Sequence, residues 1–279
     1  MISIIVVNYN QKDWLEKCLQ KISACGGSTE GRKEAKINLP YEIIIIDNAS
    51  TDGSEVVIDK FRKEFSNLEF IKNNKNLGFA QAVNQGIKMA KGGYFFISNP
   101  DVLITPGSLE EMRDFLVKHE EVGLLGPRLI NPDGGVQSSC FSFPCWYTPF
   151  IRRTFLGDSS FGKKELKRYL MEDFNHQEIR EVDWLLGGAL MARRQAVEKV
   201  GLMDERFFLY FEDVDWCRRF KKNGFKVLYF PEVSMSHYYQ RLSAQNRGFK
   251  ALFDKLFWIH IISAVKYFWK WRKKNCGVV

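Results

Sequence analysis

Four times in the first hundred residues a short apolar, largely β-branched run ends in a cluster of asparagine and aspartate. Ile2–Asn8 ends in Asn8-Tyr9-Asn10, Tyr41–Ile46 in Asp47-Asn48, Leu68–Ile71 in Asn73–Asn76, and Tyr94–Ser98 in Asn99-Pro100-Asp101. Runs of this kind are buried strands. Helical spacing lies between them: Trp14, Leu15, Cys18, Leu19 and Ile22 within Asp13–Ile22, then Val56, Val57, Phe61 and Phe65, then Gly78–Ala90. The alternation predicts an α/β fold, with a mostly parallel central sheet flanked by helices and right-handed crossovers. In such a sheet the four tips share one edge, where open α/β sheets take ligands. One tip alone is ordinary turn or cap chemistry. Four in succession point to a nucleotide site, and Asp101 becomes the first candidate for holding a divalent cation. No GxGxxG or GxxxxGK[ST] occurs, which excludes a dinucleotide fingerprint and a P-loop.

Beyond Thr105 the pattern loosens. Pro106–Val117 reads as a helix with Leu109, Met112, Phe115 and Leu116 inward, Gly123–Ile130 as a strand, and Asn131-Pro132-Asp133-Gly134-Gly135 as a turn. Cys140–Asn175 mixes aromatic and basic residues and fits a lid, an acceptor-facing loop or a surface insertion. Val182–Ala192 is apolar around Gly187-Gly188, a pair that lets a backbone or ligand come close. Arg193–Val200 predicts a helix. Glu212, Asp213 and Asp215 follow Phe207, Phe208, Tyr210 and Phe211 and open a helix over Val214–Lys222. Acids there suit the helix dipole, yet an aromatic wall also raises a carboxylate's pKa toward general-base work. Val227–Pro231 reads as a last strand, and Glu232–Ser236 leads to His237.

The tail, 249–271, is rich in tryptophan and phenylalanine with interspersed lysines and leads into Arg272-Lys273-Lys274. A basic amphipathic helix of this composition suits an anionic membrane interface. Packing on the catalytic body or on a second copy fits as well, which leaves room for a homodimer. A net charge of +8 agrees with acidic partners such as nucleotides or anionic lipid. The basic residues are scattered and form no nucleic-acid motif. Six cysteines without CxxC pairs argue against zinc and for a reducing, cytoplasmic compartment. The N-terminus reads as a strand rather than a signal peptide, and no apolar run has the length of a spanning helix.

The segments VVNYN (6–10), IIDNASTDGS (45–54), NKNLGFAQAVNQG (74–86), SNPDV (98–102) and LLGGALMARRQAVEKVGLMDERFFLYFEDVDWCRR (185–219), with His237, together resemble one family. It is that of the inverting, metal-dependent family 2 glycosyltransferases with the GT-A fold and a Rossmann-like sheet, in their rhamnosyltransferase-like branch. The resemblance covers roughly residues 1–240, taken as the catalytic domain, and leaves 241–279 as a helical tail. It implies a nucleoside-diphosphate sugar donor, a saccharide or lipid-linked acceptor, and Mg²⁺ or Mn²⁺. It places Asn8, Tyr9 and Asp47 at the base and ribose, and Asn76 and Gly78 at the diphosphate beside a helix N-terminus. Asn99-Pro100-Asp101 stands in the position of a DxD motif, with Asn99 replacing the first acid. Asp101 and His237 are then metal ligands, Asp213 with its neighbour Glu212 supplies the base, and Trp184, Gly187, Gly188 and Asp204 lie near the acceptor. The function implied is sugar transfer in bacterial surface-polysaccharide synthesis, by an enzyme peripheral on the inner face of the cell membrane. A sugar-nucleotide nucleotidylyltransferase and an inactive membrane-associated scaffold are the alternatives. The first needs a basic glycine-rich segment where this chain reads Asn8-Tyr9-Asn10-Gln11.

Overall fold

Ile2–Asn8 is buried along its whole length, so this run must lie inside a sheet covered on both faces. The computed structural model describes residues 1–26, 39–152, 154–238 and 255–272, and there the run forms β1. The chain continues through α1 (Lys12–Gly26), β2 (Tyr41–Asp47), α2 (Ser54–Glu64), β3 (Leu68–Lys72), α3 (Phe79–Met89) and β4 (Tyr94–Ser98). Next come β5 (Val102–Leu103), α4 (Ser108–Lys118) and β6 (Val122–Ile130). The stretch unreadable from sequence folds as β7 (Cys140–Phe141), α5 (Thr148–Ile151), a 3₁₀ turn (Phe155–Asp158) and α6 (Ser160–Tyr169). After β8 (Arg180–Glu181), β9 (Trp184–Leu185), β10 (Ala189–Arg193) and α7 (Arg194–Val200) come α8 (Glu212–Lys222), β11 (Lys226–His237) and α9 (Lys255–Lys270).

The large sheet runs β3-β2-β1-β4-β10-β6-β11-β5, with β8 pairing β11, while β7 and β9 form a separate pair. β1 to β4 are mutually parallel, β10 is antiparallel to β4 and β6, and β6 is parallel to β11. The long strands therefore point one way, as the sequence predicts, with β10 inserted against them. Alternation along β1 feeds two cores: Ile5 and Val7 face α3, whereas Ile2, Ile4 and Val6 face α1, α2 and α4. Burying each such side chain stabilises the fold by about 1.5–3 kcal/mol.

Two expectations change. Val56 does not point inward; it is 70% exposed. The buried positions of α2 are Ser54, Val57, Ile58 and Phe61, one stripe at i, i+3, i+4 and i+7 from which Val56 is displaced. The apolar run Val182–Ala192 folds as two strands, β9 and β10, separated at Gly187-Gly188. The last strand does not stop at Pro231 but continues to His237. Pro231 falls in a register irregularity between Phe230 and Ser234, where the ladder needs no amide.

The tail is described only in α9 and the two residues after it; Phe249, Leu252, Phe253, Lys273 and Lys274 lie outside the described residues. Ala264, Tyr267 and Trp271 join the core on the α3 side of the sheet. Among the described residues, no helix is long and apolar enough to cross a membrane.

Candidate active site

Because β1 to β4 are parallel, Asn8, Asp47, Asn73 and Asn99 end on one edge. Asn8 stands opposite Asp47 in the register and donates from Nδ2 to its Oδ1 at 2.7 Å. The same Asp47 oxygen accepts from Ser50 Oγ at 2.6 Å, and Oδ2 accepts from the Ser50 amide at 2.9 Å. This network ties the β1 tip to the β2–α2 loop, and Tyr9, the residue after Asn8, is about half exposed.

The edge continues to the cation candidates. The amide of Tyr238 donates to the Asp101 carbonyl at 3.0 Å, and His237 pairs with Val102 across β5 and β11. The bulged β11 thereby returns His237 to Asp101, with Nε2 3.5 Å from Oδ1. Gln137 Oε1 lies 2.9 Å from His237 Nδ1, where an amide oxygen can accept from that nitrogen and leave Nε2 facing Asp101. Asp101 Oδ1 is buried and receives no hydrogen bond from the described residues. Two acceptors facing each other at this distance fit a shared cation. Among the described residues no cluster of three or more His, Cys, Asp or Glu forms; a cation held by this pair would need its other ligands from substrate phosphates and water.

Gly187-Gly188 joins this pole to the acids of α8. The Gly187 amide donates to Asp213 Oδ2 at 3.0 Å, and the Gly188 carbonyl accepts from the Asn99 amide at 2.9 Å. A Cβ on Gly187 would stand 3.4 Å from Asp213 Oδ2 and 3.3 Å from Phe79, and one on Gly188 would stand 3.2 Å from Asn99 Nδ2. Side chains there would crowd these groups. Asp213 Oδ1 accepts from the Val214 amide at 2.8 Å. Burial pushes Asp213 up to about 6, against the pull of the Gly187 and Val214 amides. Burial, and then the charge of Asp213, raise Glu212 well above the usual carboxylate range. Glu212 Oε2 also receives no hydrogen bond from the described residues.

The remaining predicted residues are placed differently from expectation. Asn76 Oδ1 accepts from the Gly78 amide at 2.9 Å, and the Phe79 amide donates to the Phe208 carbonyl at 2.8 Å. The amides of Gly78 and Phe79, at the start of α3, are thus engaged within the protein. Gly78 is fixed as glycine by φ +86° and by the Phe208 carbonyl, which a Cβ would run into. Trp184 is buried, stacked on Phe141 at 4.3 Å with its indole N–H on the Ser142 carbonyl, so it packs rather than offering an open acceptor surface. Asp204 is held by Arg206 and by Lys270 of α9 at 2.7 Å. Arg206 first, then Lys270, keep it well below the usual carboxylate range. Sequence reasoning missed Gln137. Its only signal was its place just after the 131–135 turn, which folds it back so that its amide donates to the Leu129 carbonyl of β6.

Residues 3–200 match the profile of glycosyl transferase family 2. The chain belongs to that family. The N-acetylglucosaminyl-diphospho-decaprenol L-rhamnosyltransferase of Mycobacterium tuberculosis is 30% identical over 250 residues, covering 85% of this chain and 76% of the relative. Rhamnosyltransferase WbbL of Escherichia coli is 23% identical over 288 residues, covering 96% and 92%. In fold, the chain is similar to S. aureus TarS 1–349 in complex with UDP, with TM-score 0.58, 17% identity and coverage of 86% of this chain and 60% of that one. It is also similar to GalNAc-T7 with UDP, GalNAc and Mn²⁺, with TM-score 0.63, 16% identity and coverage of 86% and 44%. The chain spans three fifths or less of these solved chains, and at such identity the likeness establishes the GT-A fold. This family 2 enzyme is a glycosyltransferase of rhamnosyltransferase-like type, which sets aside the nucleotidylyltransferase alternative.

Proposed function

We propose that this glycosyltransferase moves a deoxyhexose such as rhamnose from a nucleoside-diphosphate donor to a lipid-linked saccharide, with inversion at the anomeric carbon. The observation that carries the reading is the Gly187-Gly188 turn, whose amide holds Asp213 and whose carbonyl holds the Asn99-Pro100-Asp101 tip. Base and cation pole are thereby fixed on either side of one small gap. The nucleoside lies along Asn8, Tyr9 and Asp47, with its diphosphate toward Asp101 and His237. The acceptor enters on the Asp213 side.

Ionised Asp213 takes the proton of the acceptor hydroxyl as that oxygen attacks the anomeric carbon. The bond from this carbon to the β-phosphate oxygen breaks on the opposite face, and the nucleoside diphosphate leaves with the electron pair. Burial and then the charge of Asp213 raise Glu212 well above the usual carboxylate range, so ionisation of either acid opposes that of the other. Asp101 and His237 would hold Mg²⁺ or Mn²⁺, which supplies Lewis-acid neutralisation of the departing diphosphate. Gln137 Oε1, accepting from Nδ1, would leave Nε2 of His237 for that duty.

The acceptor class is supported by the name of the mycobacterial relative, which specifies a sugar on a diphospho-decaprenol. Such a substrate places the enzyme at the inner membrane face, in bacterial surface-polysaccharide assembly. The test is a thermal-shift panel of nucleotide-sugars with and without Mn²⁺, followed by transfer to a lipid-linked saccharide. One donor is expected to raise the melting temperature most when Mn²⁺ is present. No stabilisation by any donor under any metal condition would refute the reading.

A further inference from the structure

Two segments that the transfer chemistry leaves unused carry much of the exposed apolar bulk. In α9, Trp258, Ile262, Val265 and Trp269 are exposed, Val265 to 61% and Trp269 to 71%. Their spacing of four, three and four residues lines them up on one helix face. The opposite face is already committed. Ser263 donates to the Leu209 carbonyl at 2.9 Å, Tyr267 is fully buried, and Trp271 donates from its indole to Asp215 at 2.8 Å. The helix thus has two apolar faces, and the fold consumes one. The other segment, 146–161, exposes Trp146 to 64%, with Phe150, Phe155 and Phe161 also outward.

The two segments meet although they are about a hundred residues apart in sequence. Trp146 and Phe150 line, with Val265, Phe268 and Trp269, one groove of about 440 Å³. Single exposed hydrophobic residues are ordinary, but a contiguous patch marks an interaction surface. Charge selects the occupant. Arg152 is exposed on one segment, with Lys163 and Lys164 exposed just beyond it in α6, and Lys255, Lys266 and Arg272 on the other. Residues 255–272 contain no acid, the exposed Asp158 is the one acid of 146–161, and the buried Glu165 of α6 is already paired with Arg168. A second copy docked face to face would oppose mostly cation to cation. Anionic headgroups would pair with these cations while the tryptophan rings enter the interface.

We infer that the outer face of α9 and the 146–161 segment form one platform that seats the enzyme on an anionic bilayer. The platform lies one aromatic layer from the base: Phe211, next to Glu212-Asp213, packs on Tyr267 and Phe268 with ring centroids 5.2 and 6.0 Å away. A saccharide presented at headgroup level would therefore arrive beside Asp213, a consequence that rests on the lipid-linked acceptor proposed above. Seating itself needs no turnover, so its failure and the failure of that reading can be told apart.

The experiment is co-sedimentation of the full chain with phosphatidylcholine vesicles, with or without phosphatidylglycerol, alongside sedimentation velocity without lipid. Wild type is expected to bind the anionic vesicles at least about tenfold more tightly than the neutral ones. Trp269→Ser and the pair Trp146→Ser/Phe150→Ser should each weaken that binding by about tenfold, at unchanged melting temperature. Indifference to vesicle charge would overturn the proposal, as would wild-type binding by the Trp146→Ser/Phe150→Ser variant. So would a dimer of wild type that these substitutions dissociate.

Discussion

The two sides of α8's first turn treat the same chemical group in opposite ways. Asp213, facing the site, is buried and takes its hydrogen bonds from the amides of Gly187 and Val214. Asp215, facing α9, is fully buried but meets Arg219 at 3.0 Å, Lys270 at 2.7 Å and the Trp271 indole at 2.8 Å. Both share one helix terminus, so the dipole cannot distinguish them. What differs is compensation. A buried carboxylate ringed by cations is a structural joint, whereas one left to backbone amides keeps a raised proton affinity and can take up a proton on demand.

Exchange of each acid for its amide should separate the two roles. Asp213→Asn should lower turnover by about 10²–10⁴-fold while donor affinity stays near wild type. Its melting temperature should hold or rise. A carboxyl whose folded pKa lies above its unfolded value favours the folded state only at low pH, and at neutral pH its ionised form costs stability. Asp215→Asn should do the reverse, destabilising the fold by about 3–5 kcal/mol in denaturant melts because Arg219 and Lys270 lose their anion. If both variants lost only activity, or both only stability, the comparison would collapse.

The cation pole offers a smaller effect. Gln137→Met should weaken Mn²⁺ binding, read by calorimetry, by about 10–100-fold, and Gln137→Glu should restore most of it because a carboxylate still accepts from His237 Nδ1. A purely structural Gln137 would leave Mn²⁺ affinity unmoved. Smallest is the pH effect. With Asp213 pushed up to about 6, the ionised base is lost as pH falls through that value. kcat/KM should then drop by about tenfold per pH unit below 6 and level off above it. An acid limb unchanged in Asp213→Glu, whose longer side chain changes the burial, would assign the limb to another group.

The donor half was legible because its logic is local. Asn8, Asp47 and Asp101 each end a continuous apolar run, and parallel pairing alone brings such tips to one edge. His237 was within reach only by resemblance, since its return to Asp101 depends on the irregularity around Pro231 in β11. Gln137 was invisible: it sits in an irregular stretch with no period, and its partner is a hundred residues away. The different fates of Asp213 and Asp215 were only partly readable: Arg219 at i+4 marks Asp215 locally, but Lys270 and Trp271 reach it only through the docking of α9. The same holds for α9, whose sequence is apolar around much of the helix and does not show which face the core takes. Asn76 and Trp184 mislead for a related reason. Their types suit a ligand, but local geometry occupies them first, through the Gly78 amide and the Phe141 ring.

The most direct test is an anomalous-difference map, collected at the manganese edge, from crystals grown with Mn²⁺ and a nucleoside diphosphate. The account predicts one strong peak between Asp101 Oδ1 and His237 Nε2, with the diphosphate on it and the Asp213 carboxylate opposite across the Gly187-Gly188 turn. A peak away from Asp101, or a diphosphate that leaves Asp213 in a separate cavity, would contradict it.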